Sequence, residues 1–298
     1  MTESEFEKKI IIVRNGALGD FVLTLPVFHA IQKHFPTHQL YIIGRPKNCS
    51  LLTKHWTVIN SEAQAWSGLY SDGSLPKDVK DILASTTLAL IYSKPYGNLF
   101  RNTKKLLGEK ALFFDPQLPI NYSKHVTEHL LSPLIKTLKI PNINRSPTLP
   151  ISNTGVGKID VIAHVGSSSP EKNWPLENFI IWAKKLRRQE IRVSLILGPI
   201  EKEMGITLPT DTPIVCPENL EELACFLANA KLFVGNDSGP GHLAAAVGTS
   251  TLTLFGPTDP KVWAPRHPKN KILSAPDKNM KNIGVGSVVS ATIKQLSG

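Results

Sequence analysis

Three short stretches carry side chains suited to chemistry. In Gly235-Asn-Asp-Ser-Gly-Pro-Gly-His242 the apolar run at 232–234 stops at a polar loop, and a small-residue helix is expected to follow. Backbone N–H groups at a helix start lack helical partners, and the helix dipole adds to their attraction for negative charge. Ser238 and Gly239 are therefore placed to hold a phosphate. Asp237 would be repelled by one, which suits it to sugar hydroxyls instead. The plainer alternative makes Asp237 a helix cap and packs His242 on an alanine-rich face.

The second stretch is Gly166-Ser-Ser-Ser-Pro-Glu-Lys-Asn173. Ser167 and Ser168 offer hydroxyls, backbone N–H groups lie beside them, and Lys172 supplies a point charge for an anion. Against this stands a polar loop with a serine cap and an exposed lysine. The third stretch, Gly16-Ala-Leu-Gly-Asp20, lacks the spacing of a dinucleotide fingerprint. Its aspartate either caps the next helix or takes a proton from a hydroxyl at the carboxyl end of a strand. Lys94, Arg101, Lys104, Lys105 and Lys110 form a basic cluster that reads as a solvated face or as a surface for an anionic acceptor.

The elements that must position these groups recur in a βα rhythm. Residues 9–14 form a continuous β-branched run, followed by the Gly16–Gly19 loop, a helix over 21–35 and a strand at 40–43. Weaker strands are expected near 58–59, 88–92 and 111–114, then a helix over 122–138 that Pro133 should kink or break. Residues 141–158, rich in proline, glycine, serine and asparagine, read as a linker. Beyond it the rhythm restarts, with strands at 159–164 and 191–197, helices over 175–188 and 220–230, and a last helix over 283–296. Two such arrays imply two doubly wound domains facing a cleft.

Composition narrows the partners. The chain has 298 residues, 41% of them hydrophobic, and a net charge of +10, so it is globular and favours acidic ligands. Its aromatics form no stripe for stacking bases, which sets nucleic acid aside. The three cysteines, Cys49, Cys216 and Cys225, have neither zinc-site nor disulfide-framework spacing. No signal peptide or apolar run of membrane-spanning length is visible, so a membrane role would be peripheral.

Together these stretches resemble glycosyltransferase family 9, the ADP-heptose:lipopolysaccharide heptosyltransferase family. The match rests on Ile10-Ile-Ile-Val-Arg-Asn-Gly-Ala-Leu-Gly-Asp-Phe-Val-Leu-Thr-Leu-Pro26, His164-Val-Gly-Ser-Ser-Ser-Pro-Glu-Lys-Asn-Trp-Pro-Leu-Glu-Asn178, and the 235–248 block with Leu254-Phe-Gly-Pro-Thr-Asp-Pro260. The blocks stand in the family's order and spacing. The resemblance implies the GT-B architecture, two doubly wound (Rossmann-like) α/β domains facing a central cleft. Residues 1–152 would bind the acceptor and 153–298 the nucleotide sugar, with the terminal helix packing back on the first domain.

It further implies an inverting glycosyltransferase moving heptose from ADP-heptose onto an acidic or phosphorylated lipopolysaccharide core-type glycolipid. The enzyme would work at the cytoplasmic face of the inner membrane as a peripheral protein, with no metal or other cofactor. Asp20 matches the general base, Lys172 with Ser167 and Ser168 the diphosphate site, and Asp237, Ser238, Gly239 and His242 the donor loop. Glu201 matches a ribose-binding acid, with Glu203 equally placed. A nucleotide-sugar epimerase of the same fold and a silent nucleotide-sugar-binding protein are the alternatives. Val165 replaces a common family proline, and 275–280 lacks the cysteines many members carry there.

Overall fold

A strand that is apolar and β-branched along its whole length needs cover on both faces. β1 (Lys9–Val13) meets that need, with Ile10 to Val13 all buried. The computed structural model describes residues 8–52, 55–151, 159–198, 208 and 212–297. In the first sheet β1 is joined by β2 (Gln39–Gly44), β3 (Thr57–Asn60), β4 (Thr86–Tyr92) and β5 (Ala111–Phe114). All pairs are parallel, in the order β3-β2-β1-β4-β5. The strand order therefore reverses between β1 and β4, where α/β sheets open a crevice beyond the strand ends. Arg14 follows β1 there, buried, with its guanidinium 5.8 Å from the Tyr92 ring centre.

Helices α1 (Leu18–His34), α2 (Pro46–Cys49), α3 (Lys77–Ala84) and α4 (Gly97–Leu107) accompany this sheet in the chain, followed by α5 (Val126–Leu130) and α6 (Ser132–Lys136). The single helix expected over 122–138 is thus two. Pro133 has no N–H to give and its ring obstructs the preceding turn, so it serves as an early residue of α6 instead. α1 starts at Leu18 rather than at 21, which puts Asp20 inside its first turn and excludes it as the cap. A carboxylate in that turn complements the helix dipole.

The second sheet contains β6 (Ile159–His164), β7 (Val193–Ile196), β8 (Ile214–Val215), β9 (Ala230–Asn236), β10 (Ser250–Phe255) and β11 (Asn270–Ser274). Its order, β11-β10-β9-β6-β7-β8, is again all parallel, and the reversal falls between β6 and β9. Counted from β6, this is the 3-2-1-4-5-6 order of a dinucleotide-type fold. Helices α7 (Leu176–Arg187), α8 (Leu220–Ala228), α9 (Gly239–Ala246), α10 (Pro260–Trp263) and α11 (Val285–Leu296) belong to this half. Trp174, Trp182 and Phe179 are fully buried beneath α11, where Trp182 Nε1 donates to Thr292 Oγ1 at 3.2 Å. α11 is thereby part of the second core.

By their contacts the residues form two units. One comprises residues up to Ala17, Pro26–Tyr122 and Thr127–Arg145; the other Leu18–Leu25, Ser123–Val126 and the chain from Ser146 on. The first turns of α1, Asp20 included, thus belong to the second unit. Strands β8 and β11 and helices α2, α3, α4 and α10 were not anticipated. β8 is only two residues long, and β11 lies on the sheet edge with Ile272 exposed, so neither shows a buried periodicity. Glu201 and Glu203, and most of the linker beyond 151, lie outside the described residues.

Candidate active site

The second unit's strand reversal places two loops side by side, one after β6 and one after β9. Asn236, fully buried at the end of β9, ties them together. Its Nδ2 donates to the Val165 carbonyl at 2.9 Å and its Oδ1 accepts from the Trp174 backbone at 3.0 Å. The β6 loop is therefore fixed at both ends, and Lys172 projects from a single 3-10 turn, Pro170–Lys172, between them. Its Nζ lies 3.0 Å from Asp237 Oδ2. In the same loop the Ser167 hydroxyl donates to the Ser169 carbonyl at 2.8 Å, and Ser168 is exposed beside it.

Asp237 does not cap α9; Ser238 occupies the cap position. The Asp237 carboxylate is 6% exposed and accepts a second hydrogen bond on the same Oδ2 from Thr258 Oγ1 at 2.8 Å. Its Oδ1 lies 3.8 Å from His242 Nε2. The Ser238 hydroxyl is buried without a hydrogen-bond partner among the described residues, although it occupies the cap position of a helix. An orphaned donor of this kind costs stability unless something meets it.

Two helix starts converge on this point. A β-carbon on Gly239 would come within 2.9 Å of Leu18 Cβ and 3.0 Å of the Gly19 nitrogen, so only glycine permits the approach. Gly19 in turn stands beside the His242 ring. Burial pushes the His242 imidazole down to about 4; Asp237 and Asp20 pull it up, and His125 and Lys172 push it down. The ring is thus neutral near pH 7. His125 is anchored close by, its Nε2–H donating to the Ala264 carbonyl at 2.8 Å.

This buried neutral ring gives the protein an acid-sensitive term. The unfolded chain binds a proton near pH 6.5 whereas the folded site resists it to about 4, so stability rises with pH across that window. The contribution is complete above about 6.5, is lost as pH falls towards 4, and is at most roughly 3 kcal/mol. Urea denaturation of the His242→Gln variant at pH 7 and pH 4.5 should show a shallower acid loss than wild type; an equal slope would assign the loss to other groups.

Of the residues singled out from sequence, Asp20, Gly19, Lys172, Asp237, Ser238, Gly239 and His242 assemble in one cluster, and Ser167 and Ser168 lie in the loop that carries Lys172. Gly16 lies in the first unit, where its carbonyl accepts from Asn48 Nδ2 at 3.2 Å. Asn236, Thr258 and His125 were missed. Thr258 sits in Gly256-Pro-Thr-Asp259, which marks the end of a strand, and nothing local indicates where its hydroxyl points. The basic cluster proves to be α4 and its flanks, with Arg101 3.6 Å from Asp72 and Lys104 3.7 Å from Glu109. Among the described residues, no group of three or more His, Cys, Asp or Glu is placed to hold a metal ion, and no helix is long and apolar enough to cross a membrane.

Comparison with known proteins gives a consistent family. The model for glycosyltransferase family 9 (heptosyltransferase) matches residues 131–291, more than half of the chain. The Haemophilus influenzae lipopolysaccharide core heptosyltransferase OpsX is 24% identical, over 93% of this chain and 87% of its own length. Lipopolysaccharide heptosyltransferase 1 of Campylobacter coli is 24% identical over 96% of each chain. Among solved structures, E. coli heptosyltransferase WaaC with ADP aligns at a TM-score of 0.72 and 17% identity, covering 96% of this chain and 99% of that one. Such low identity speaks to the fold, which is the expected GT-B type built from Rossmann-like units.

Proposed function

Because the chain belongs to glycosyltransferase family 9, we propose that it transfers heptose from ADP-heptose to a lipopolysaccharide core-type acceptor with inversion at the anomeric carbon. The observation that carries this reading is the Lys172–Asp237 pair at the strand reversal, beside a helix start with an orphaned Ser238 hydroxyl and within a charged cluster that includes Asp20. The relatives named as heptosyltransferases, and the WaaC structure with ADP, support the choice of donor and acceptor class.

In this reading the Asp20 carboxylate accepts the proton of the acceptor hydroxyl as its oxygen bonds to the anomeric carbon. The bond from that carbon to the diphosphate oxygen breaks, and ADP leaves with the electron pair. Lys172, the Ser238 hydroxyl and the Gly239 N–H at the start of α9 take up the diphosphate charge; Pro240 has no N–H, and those of Gly241 and His242 donate to the Ser238 carbonyl. Ser167 and Ser168 flank the same anion, and the site needs no metal for the step. Asp237 and His242 face the sugar, with Asp237 Oδ1 the carboxylate oxygen not bonded to Lys172 or Thr258. The residues up to 152 bind the acidic glycolipid, and the net charge of +10 draws the protein as a peripheral partner to the cytoplasmic face of the inner membrane.

The test is ADP release from ADP-heptose with and without a lipopolysaccharide core acceptor, read together with the anomeric configuration of the product. Acceptor-dependent release and an inverted linkage are expected. Formation of an epimer without acceptor would replace transfer by epimerisation, and absence of nucleotide-sugar binding would leave a silent scaffold.

A further inference from the structure

Thr258 Oγ1 and Lys172 Nζ donate to the same oxygen of Asp237, at 2.8 Å and 3.0 Å. The carboxylate is 6% exposed whereas Lys172 is 25% exposed, so the lysine has the freer side chain of the ion pair. Thr258 is held from both sides. A β-carbon on Gly256 would lie 2.8 Å from Met280 Sδ and 3.0 Å from the Lys278 carbonyl, which fixes the loop against the chain that crosses it. One residue after Thr258, Asp259 caps α10 by accepting from the Lys261 backbone at 2.9 Å. Asp237 is fixed as well, its backbone N–H donating to the Leu254 carbonyl at 3.2 Å.

We infer that Thr258 is a positioning residue, whose hydroxyl holds the Asp237 carboxylate in place when Lys172 turns from it to a bound diphosphate. The inference rests on the donor reading above. Lys172 serves two anions in that reading, the carboxylate and the ligand, and cannot neutralise both fully. A buried carboxylate that lost its lysine and had no other donor would resist the exchange, because desolvated charge without hydrogen bonds is costly. The Thr258 hydroxyl lowers that resistance without adding a competing charge. It acts through Asp237 and Lys172 and touches no reacting atom.

Thr258→Val keeps the shape and deletes the hydroxyl, and Thr258→Ser restores it. ADP affinity should weaken about tenfold in Thr258→Val and return close to wild type in Thr258→Ser, since hydrogen bonds to charged groups contribute at this level. Stability of the ligand-free protein provides a second readout. Thr258→Val should raise the unfolding equilibrium constant by roughly tenfold in wild type and by much less in an Asp237→Asn background. Equal loss of ADP affinity in the Val and Ser variants, or a stability effect undiminished by Asp237→Asn, would overturn the role of the hydroxyl, as would a Val variant indistinguishable from wild type. If the wild-type protein does not bind ADP, the donor reading fails, and Thr258 is judged on its coupling to Asp237 alone.

Discussion

Asp20→Asn is expected to bind ADP as wild type does and to lose transfer by roughly 10²–10⁴-fold, the usual contribution of a positioned general base. The substitution keeps size and most of the local geometry. Asp20 lies in the first turn of α1, so losing its charge also forfeits a favourable contact with the helix dipole, about 0.3–1 kcal/mol at most. That cost is too small to unfold a protein of this size, so lost turnover would report chemistry rather than folding. Single-turnover transfer and ADP titration on the same preparation separate the two. Unchanged turnover would remove Asp20 from the proton transfer and direct attention to its neighbours, His242 and His125, which belong to the same charged cluster.

Lys172→Met should do two things that a double variant can pull apart. It leaves Asp237 buried with Thr258 as its remaining side-chain donor among the described residues and no lysine charge opposite it. Breaking a buried pair by removing one member costs about 3–5 kcal/mol, and the partial exposure of Lys172 argues for the lower part of that range. Adding Asp237→Asn removes the stranded charge, so the double variant should recover most of the lost stability. It should not recover ADP affinity, because the cation is still missing. Urea denaturation and calorimetric ADP titration of the single and double variants check both statements. Recovery of ADP affinity in the double variant would mean that Lys172 serves only as a counter-ion to Asp237.

The elements that present these groups were largely legible from local pattern. The β-branched run at 9–13, the apolar runs feeding Asn236 and Gly256, and the restart of the βα rhythm after the linker all follow from burial on two faces of a parallel sheet. The residue types in the three loops also pointed to an anion and a proton acceptor, and their joint spacing to a family. Short edge strands escaped the same reasoning, since β8 and β11 bury too little to show a period.

What the sequence by itself determined, then, was which side chains stand at the carboxyl ends of which strands. Partners across loops were decided only by the tertiary structure. Lys172 and Asp237 are separated by 65 positions, and Asp237 and Thr258 by 21, and no propensity or periodicity acts over such distances. The sheet order that places β6 next to β9 brings the first pair together, and pairing of β9 with β10 brings the second. The close approach of the α1 start to Gly239 moves Asp20 from a candidate helix cap into a cluster with His242, and burial makes that histidine neutral. A hydrogen bond at 3 Å depends on how sheets stack their loops, and that is a property of the folded chain alone.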